Sequence, residues 1–229
     1  MSVFFRRRGK ASLVLDDNFA NNSWKSIIAA CQSGNVPDSW AVGDSKMMTI
    51  NGTSYQIDII GKNHDTYTAG GTAPLTFQLH DCYATTYAMN SSNTNEGGWK
   101  NCAMRRTHLP AILALMPPEV QNGIREVNKL TSAGGWSSTI NTTADKLFLL
   151  SEIEIFGSVS YSNSGEGMQY DYYKAGNSSV KNYNGSTDNW WGRSPDSFAT
   201  AYFCYVDTGG YPGHNNAIAE FRVAFAFCF

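Results

Sequence analysis

Asn51-Gly52 sits between two short apolar runs, Lys46–Ile50 and Tyr55–Ile60. Both residues of a two-residue hairpin loop need positive φ, which Asn and Gly tolerate, so this region is committed to antiparallel sheet. Helical spacing precedes it. Asn22 or Ser23 can cap a short helix in which Trp24, Ile27, Ile28 and Cys31 recur on one face, and Gly34 can end it. Leu75–Leu79 reads as a further strand. Leu109–Met116 is an apolar helical stretch, and Pro117-Pro118 opens a second, with Val120, Ile124 and Val127 on one side. Lys146–Leu150 reads as a buried strand that runs on into Glu152–Gly157. From Tyr161 to Asp188 the chain is rich in Gly, Ser, Asn and Tyr and has no period, so loops are expected there. The tail holds two strand signals, Ala201–Val206 and Phe221–Cys228, separated by the turn-rich Asp207–Asn216. The expectation is an α+β fold with short helices, small antiparallel sheets and long irregular loops. An extended arm over residues 1–20 precedes a domain spanning residues 21–229.

Composition narrows the function. Seventeen Lys and Arg against nineteen Asp and Glu give a net charge of -2, which disfavours nucleic-acid binding driven by bulk charge. Charged residues make up 16% and aromatic residues 13%, so the surface is set up to recognise by hydrogen bonds and ring contacts. No apolar run approaches the ~18 residues of a membrane span, and no membrane insertion is expected. Phe4-Phe5 comes before Arg6-Arg7-Arg8 and Lys10, the reverse of a secretory signal, so synthesis in the cytoplasm is expected. Five cysteines without a C-x-x-C indicate neither a disulfide framework nor a zinc site, and buried thiols are expected.

The chain lacks a G-x-S-x-G elbow, a P-loop and a dinucleotide-binding glycine run, and no catalytic residue is assigned. His64-Asp65 and His80-Asp81-Cys82 could suggest metal or acid–base work, but adjacent strand residues point to opposite faces. They are expected to satisfy loop backbone. Glu152 and Glu154, two apart on the expected strand, could form a glycosidase-like carboxylate pair. Alternation with Ile153 and Ile155 equally describes a half-buried strand showing charge to solvent or to a partner arginine. No cofactor or transition metal is expected. Calcium stays open, because Asp and Asn oxygens in loops bind it with little sequence signature. The tail is different. Phe198, Tyr202, Tyr205, Asp207, Tyr211, His214, Asn215 and Asn216 have the ring-plus-small-polar composition of antibody paratopes, and form the expected ligand-binding set. Alternation puts Tyr205 and Asp207 on one face and turns Cys204 and Val206 inward, with Tyr202 on the inward side. Trp190, Trp191, Arg193 and Arg222 are expected to be its scaffold.

Trp190-Trp191-Gly192-Arg193-Ser194-Pro195, Phe203–Asp207 with Gly210, and Phe221–Phe225 resemble the closing signature W-W-L-R-S-P … G-V-R-P-A-F. That signature marks a domain family of unknown function common in prophages and gut bacteria. It is shared with C-type-lectin-like folds of the formylglycine-generating-enzyme type, among them the variable receptor-binding proteins of diversity-generating retroelements. Asn63-His64-Asp65, Gly98-Trp99, Leu149–Gly157, Glu166-Gly167 and Gln169-Tyr170 extend the resemblance over most of the chain. Gly192 replaces the usual Leu, and Glu220 and Val223 replace the Gly and Pro of the last motif. The resemblance implies a lectin-like C-terminal half in a phage tail protein, displaying a binding face to a glycan or protein receptor on a bacterial surface. It further implies a homotrimer located in the virion, with the N-terminal arm on other tail proteins. A bacterial surface adhesion module is the alternative, and a glycan-acting hydrolase using Glu152/Glu154 or His64/Asp65 is a third reading.

Overall fold

The computed structural model describes residues 14–229. The Phe4–Lys10 segment lies outside them. At the end of the expected arm, Phe19–Asn21 forms a short 3-10 turn and Phe19 is buried. Helix α1 (Trp24–Ser33) starts on the Ser23 side chain, which accepts from Ser26 N, and stops at Gly34 in the left-handed region. Strands β1 (Ser45–Ile50) and β2 (Thr53–Lys62) pair antiparallel around Asn51 (φ 48) and Gly52 (φ 80), as the hairpin signal requires. Strand β3 (Leu75–Leu79) follows. Helix α2 (Gly98–Asn101), a π-helical turn over Met104–His108, α3 (Leu109–Leu113) and α4 (Pro118–Gly123) make the middle. The second helical stretch is shorter than expected. Ile124 is extended, and Val127 opens strand β4 (Val127–Gly134), which pairs with β5 (Ser137–Asp145).

After the short β6 (Leu147–Phe148), Glu152–Phe156 is helix α5, not the continuation of a strand. Its signal is a capping box: Ser151 Oγ accepts from Glu154 N while the Glu154 carboxylate accepts from Ser151 N, and Gly157 (φ 71) closes the turn. Residues 161–188 are loop-dominated, with a one-turn helix α6 (Asp171–Lys174) and a hairpin of β7 (Lys181–Tyr183) and β8 (Ser186–Asp188). Strands β9 (Trp190–Pro195), β10 (Tyr202–Val206) and β11 (Pro212–Asn216) form a three-stranded sheet, and β12 (Ala226–Cys228) ends the series. The largest sheet is antiparallel with the order β1-β2-β3-β12-β6. The architecture is α+β with small antiparallel sheets. Among the described residues no helix is long and apolar enough to cross a membrane.

Both faces of β3 are covered, so its period of two separates two kinds of core. Phe77 meets Phe19, Trp24, Phe227 and Phe229 at ring-centroid distances of 5.2–6.1 Å. Thr76 and Gln78 face the other way into a polar core, where Thr76 donates to Asp65 at 2.6 Å and Tyr173 OH donates to Gln78 at 2.6 Å. There Lys129 Nζ lies 2.7 Å from both Asp65 Oδ1 and Glu154 Oε1 and donates to Tyr170 OH at 3.0 Å. Burial alone would raise the Asp65 carboxyl, but Lys129 and the Thr76 hydroxyl hold it down to about 2. Arg193 is fully buried and forks onto Glu154 through both terminal nitrogens. It also donates to the Leu149, Leu130 and Glu166 carbonyls at 2.8–3.0 Å and to Thr131 Oγ1 at 2.9 Å. Burial opposes the charge on Glu154, yet Arg193 and Lys129 keep its carboxyl below the ordinary range. Glu166 is buried without such a partner and its carboxyl is pushed up. Two cations thus face two ionised carboxylates and a third that tends to neutral, which is how buried charge stays tolerable.

This network is where the resemblance motifs converge. Asp65, Glu154, Glu166, Tyr170, Arg193 and Ser194 come from five separate stretches and meet in one buried cluster. Asp65 therefore serves side-chain partners, not the loop backbone expected of it, and His64 stacks on Tyr170 at 3.9 Å. Glu154 does meet an arginine, but from a helix. Trp190 and Trp191 are fully buried; their indole N–H groups donate to Ser179 O at 3.0 Å and Tyr87 O at 2.8 Å. At Gly192 a Cβ would stand 3.2 Å from Leu150 O and 3.4 Å from Cys204 O, so a larger side chain would crowd the backbone on both sides. All five cysteines are free and buried.

Candidate functional site

The tail sheet is built on β10, whose register decides which of the eight expected contact residues share a surface. Tyr202 pairs with Asn216, Cys204 with His214 and Val206 with Pro212, so these side chains lie on one face. Phe203 pairs with Asn215 and Tyr205 with Gly213 on the other. The second face is packed. Phe203 is fully buried, and Tyr205 rests on Phe221 at 4.7 Å and edge-on to Trp191 at 6.1 Å. Tyr205 packs on these rings while remaining partly exposed. Phe203 and its neighbour Cys204 point to opposite faces and both are buried, so β10 is covered on both sides there.

The strand also divides the set along its length. Asp207 and Tyr211 lie in the turn after β10, about 13 Å along the strand from its Tyr202 end, at roughly 3.3 Å per residue. Asp207 Oδ1 accepts from Gly209 N at 2.9 Å and Tyr211 N at 2.8 Å, so that oxygen is occupied by its own turn. Tyr211 is 69% exposed there. Asn215 Oδ1 accepts from Asn216 N at 2.7 Å.

The other end carries a denser group. His214 Nδ1 bonds to Asp196 Oδ2, and Asp196 is buried. The other oxygen of that carboxylate accepts from Phe198 N and from Ala199 N at 3.0 Å, so one buried carboxylate fixes both the imidazole and the loop that carries Phe198. Tyr161 stacks on the His214 ring at 4.3 Å, and Tyr202 meets it edge-on at 5.2 Å. The Tyr161 carbonyl accepts from Ser197 N at 2.8 Å and Ser197 Oγ at 2.7 Å. Phe198, beside this cluster, is 72% exposed, and Asn216 Oδ1 accepts from Asn93 at 2.8 Å.

Glu152 supports the same surface from behind. Its carboxylate accepts from Ser160 N, Tyr161 N, Ser162 N and Ser162 Oγ at 2.7–3.2 Å. It is buried and anchors the loop that presents Tyr161, so it neither faces solvent nor pairs with Glu154 as a catalytic couple. Asn95 does the same from a third segment, donating to the Asp196, Ala199 and Tyr202 carbonyls at 2.8–3.1 Å. Sequence reasoning named Tyr161 only as the start of a loop-dominated stretch, and named neither Asn95 nor Asp196. A signal for the last is its Asp-Ser-Phe-Ala spacing, in which an Asp side chain reaches backbone N–H groups two and three residues on.

Arg222, expected in the scaffold, donates to Asp188 at 2.9 Å and to the Ala84 carbonyl, with its guanidinium 3.7 Å over the Tyr183 ring. His80 bonds to Asp58 at 2.6 Å, which raises the imidazole pKa against the effect of burial, while Asp81 accepts from Asn182 N at 2.8 Å. Among the described residues no group of three His, Cys, Asp or Glu is placed to hold a metal ion.

Comparison with curated proteins and with solved structures finds no match. A family model described as Domain of unknown function (DUF6273) matches residues 75–228, from β3 through β12. The match leaves out β1 and β2, although β2 pairs directly with β3 in the same sheet. It covers well over half of the 229 residues, and the chain belongs to this family.

Proposed function

We propose that the chain is a receptor-binding component of a phage virion, which displays the Tyr161–Phe198–Tyr202–His214 surface to a glycan or protein on a bacterial cell. The observation that carries this reading is the ring cluster around His214, held from beneath by the buried Asp196 with Phe198 exposed beside it. Rings held in place lose little entropy on binding, and an imidazole fixed through Nδ1 leaves Nε2 to meet a ligand. Asn216 supplies an amide group at the edge of the surface, while Asn215 lies on the other face of β11 and Tyr211 at the far end of the sheet. The resemblance to prophage proteins supports the virion setting, in which a trimer would multiply weak contacts roughly 10²–10⁴-fold through avidity. The Phe4–Lys10 segment would contact neighbouring tail proteins.

The test is adherence of the labelled protein to a panel of gut-bacterial cells, comparing the parent with a Phe198→Ala/His214→Ala variant. Hot-spot aromatics cost ~2 kcal/mol or more each on truncation, so retained cells should fall at least about tenfold. Undiminished adherence by the folded double variant refutes the placement of the face, and so does a loss produced only by Tyr211→Ala.

A further inference from the structure

We propose that the groove between the β4–β5 turn and the loop after β9 binds an uncharged sugar residue, stacked on Trp136, as a second contact for the receptor; this rests on the binding role proposed above. Among the described residues four non-glycine residues have positive φ, and three of them are Asn, which tolerates that region. The fourth is Trp136 (φ 65), a bulky residue in a backbone conformation it rarely adopts, and its side chain is 70% exposed. Neither feature helps the fold. A strained backbone that presents a large ring to water points toward function.

The turn that presents the ring is built tightly. A Cβ on Gly134 would lie 1.9 Å from Asn95 O, and Gly135 N donates to Asn95 Oδ1 at 2.8 Å. Asn95 is the same side chain that ties down the 196–202 loop. One buried amide thus ties the turn that carries Trp136 to that loop, so the backbone walls of the groove are held before any ligand arrives. Its volume is about 590 Å³, within the range of small-ligand clefts. Thr94, Glu96, Ser137 and Thr200 give it hydroxyls and one carboxylate, and among the described residues no cationic side chain lines it.

That chemistry selects the ligand. The electron-rich indole face attracts the C–H groups of a pyranose, as it attracts the positive edge of another ring. The Glu96 carboxylate accepts from sugar hydroxyls, and the Thr and Ser hydroxyls donate or accept as needed. Among the described residues Glu96 forms no ion pair, so an anionic sugar would meet an uncompensated negative charge. A neutral hexose or N-acetylhexosamine unit fits.

The experiment follows the Trp136 indole N–H resonance, identified by its absence in Trp136→Asn, while maltotriose, cellotriose, chitotriose and trigalacturonic acid are titrated separately to 10 mM. Asn is the residue this backbone accepts at its other left-handed positions, so the variant keeps the turn. A saturable shift with one or more neutral sugars is expected, at least fivefold weaker in Glu96→Gln and unchanged in His214→Ala. The proposal is overturned if no neutral sugar moves the resonance or if trigalacturonic acid binds at least as tightly. Cell adherence separates the two claims. Adherence that survives Trp136→Asn but falls in Phe198→Ala/His214→Ala removes the groove and keeps the face.

Discussion

Replacing Arg193 by Met would test whether the buried ion network holds the tail sheet to the rest of the molecule. Met keeps much of the aliphatic length and removes every donor. Glu154 would lose its forked partner and keep Lys129 at 2.7 Å and the Ser151 N–H at 3.1 Å, while the Leu149, Leu130 and Glu166 carbonyls would lose bonds of 2.8–3.0 Å. Breaking one side of a buried pair costs about 3–5 kcal/mol. Orphaned carbonyls add about 1 kcal/mol or more each, partly relieved by relaxation, so a loss of about 4–6 kcal/mol is expected. A domain of ordinary stability, about 5–15 kcal/mol, would be left near its unfolding threshold. Urea denaturation followed by tryptophan fluorescence reads this directly, since Trp190 and Trp191 adjoin Arg193. The control is the Glu154→Gln/Arg193→Met double variant. Its loss should fall short of the sum of the singles by about 2 kcal/mol or more, because the carboxylate no longer needs a partner. A loss below about 1.5 kcal/mol in the single variant, or strict additivity in the double, would refute the reasoning.

Three further outcomes are expected. The Asp65 carboxyl is held at about 2 against an ordinary 3.8, so its share of stability, about 2–3 kcal/mol, is present above pH 4 and lost as pH falls toward 2; Asp65→Asn should flatten that part of an acid melting profile. Burial pushes the Cys31, Cys82 and Cys102 thiols to about 12, so their stability contribution is full below pH 9 and lost between pH 9 and 12, and a thiol reagent at pH 8 should label them only after denaturant is added. Lys181 runs the other way. Its buried amine, lowered to about 8, donates to the Leu79 and His80 carbonyls, so stability gains from it as pH rises from 8 to 10.5, and Lys181→Met should steepen the alkaline loss measured by thermal melting.

What could be read in advance tracks how local its cause was. The Asn51-Gly52 turn, the Ser23 and Gly34 caps and the alternation of Leu75–Leu79 each have their reason within a few residues, and each element stands where expected. Glu152–Phe156 misled because five residues of alternating Glu and Ile fit either period, while the deciding signal, Ser151 with Glu154, lay at its edge. Lys129 left no trace. A lysine just past an expected helical stretch carries no core signal, and only the arrival of Asp65 and Glu154 from distant stretches makes it a core residue. In the tail, alternation already sets Tyr205 and Tyr202 on opposite faces and the β10 register agrees, whereas the meeting of Tyr161 with His214 joins distant stretches and has no local signal.

The position of β12 bears on how this protein is made. Residues 226–228 lie between β3 and β6, so the middle of the largest sheet is the last part of it to leave the ribosome. Until then β3 has one bare edge and Phe77 lacks Phe227 and Phe229. Nascent chains would hold that aromatic surface open from the emergence of β3 until that of β12, exposed to chaperones and to one another. A product stopped anywhere before residue 226 would lack a strand that the sheet cannot replace from within, and its bare edge would invite pairing with another chain. Synthesis thus has a built-in checkpoint, in which only chains read through to Cys228 can close the sheet and escape aggregation or proteolysis.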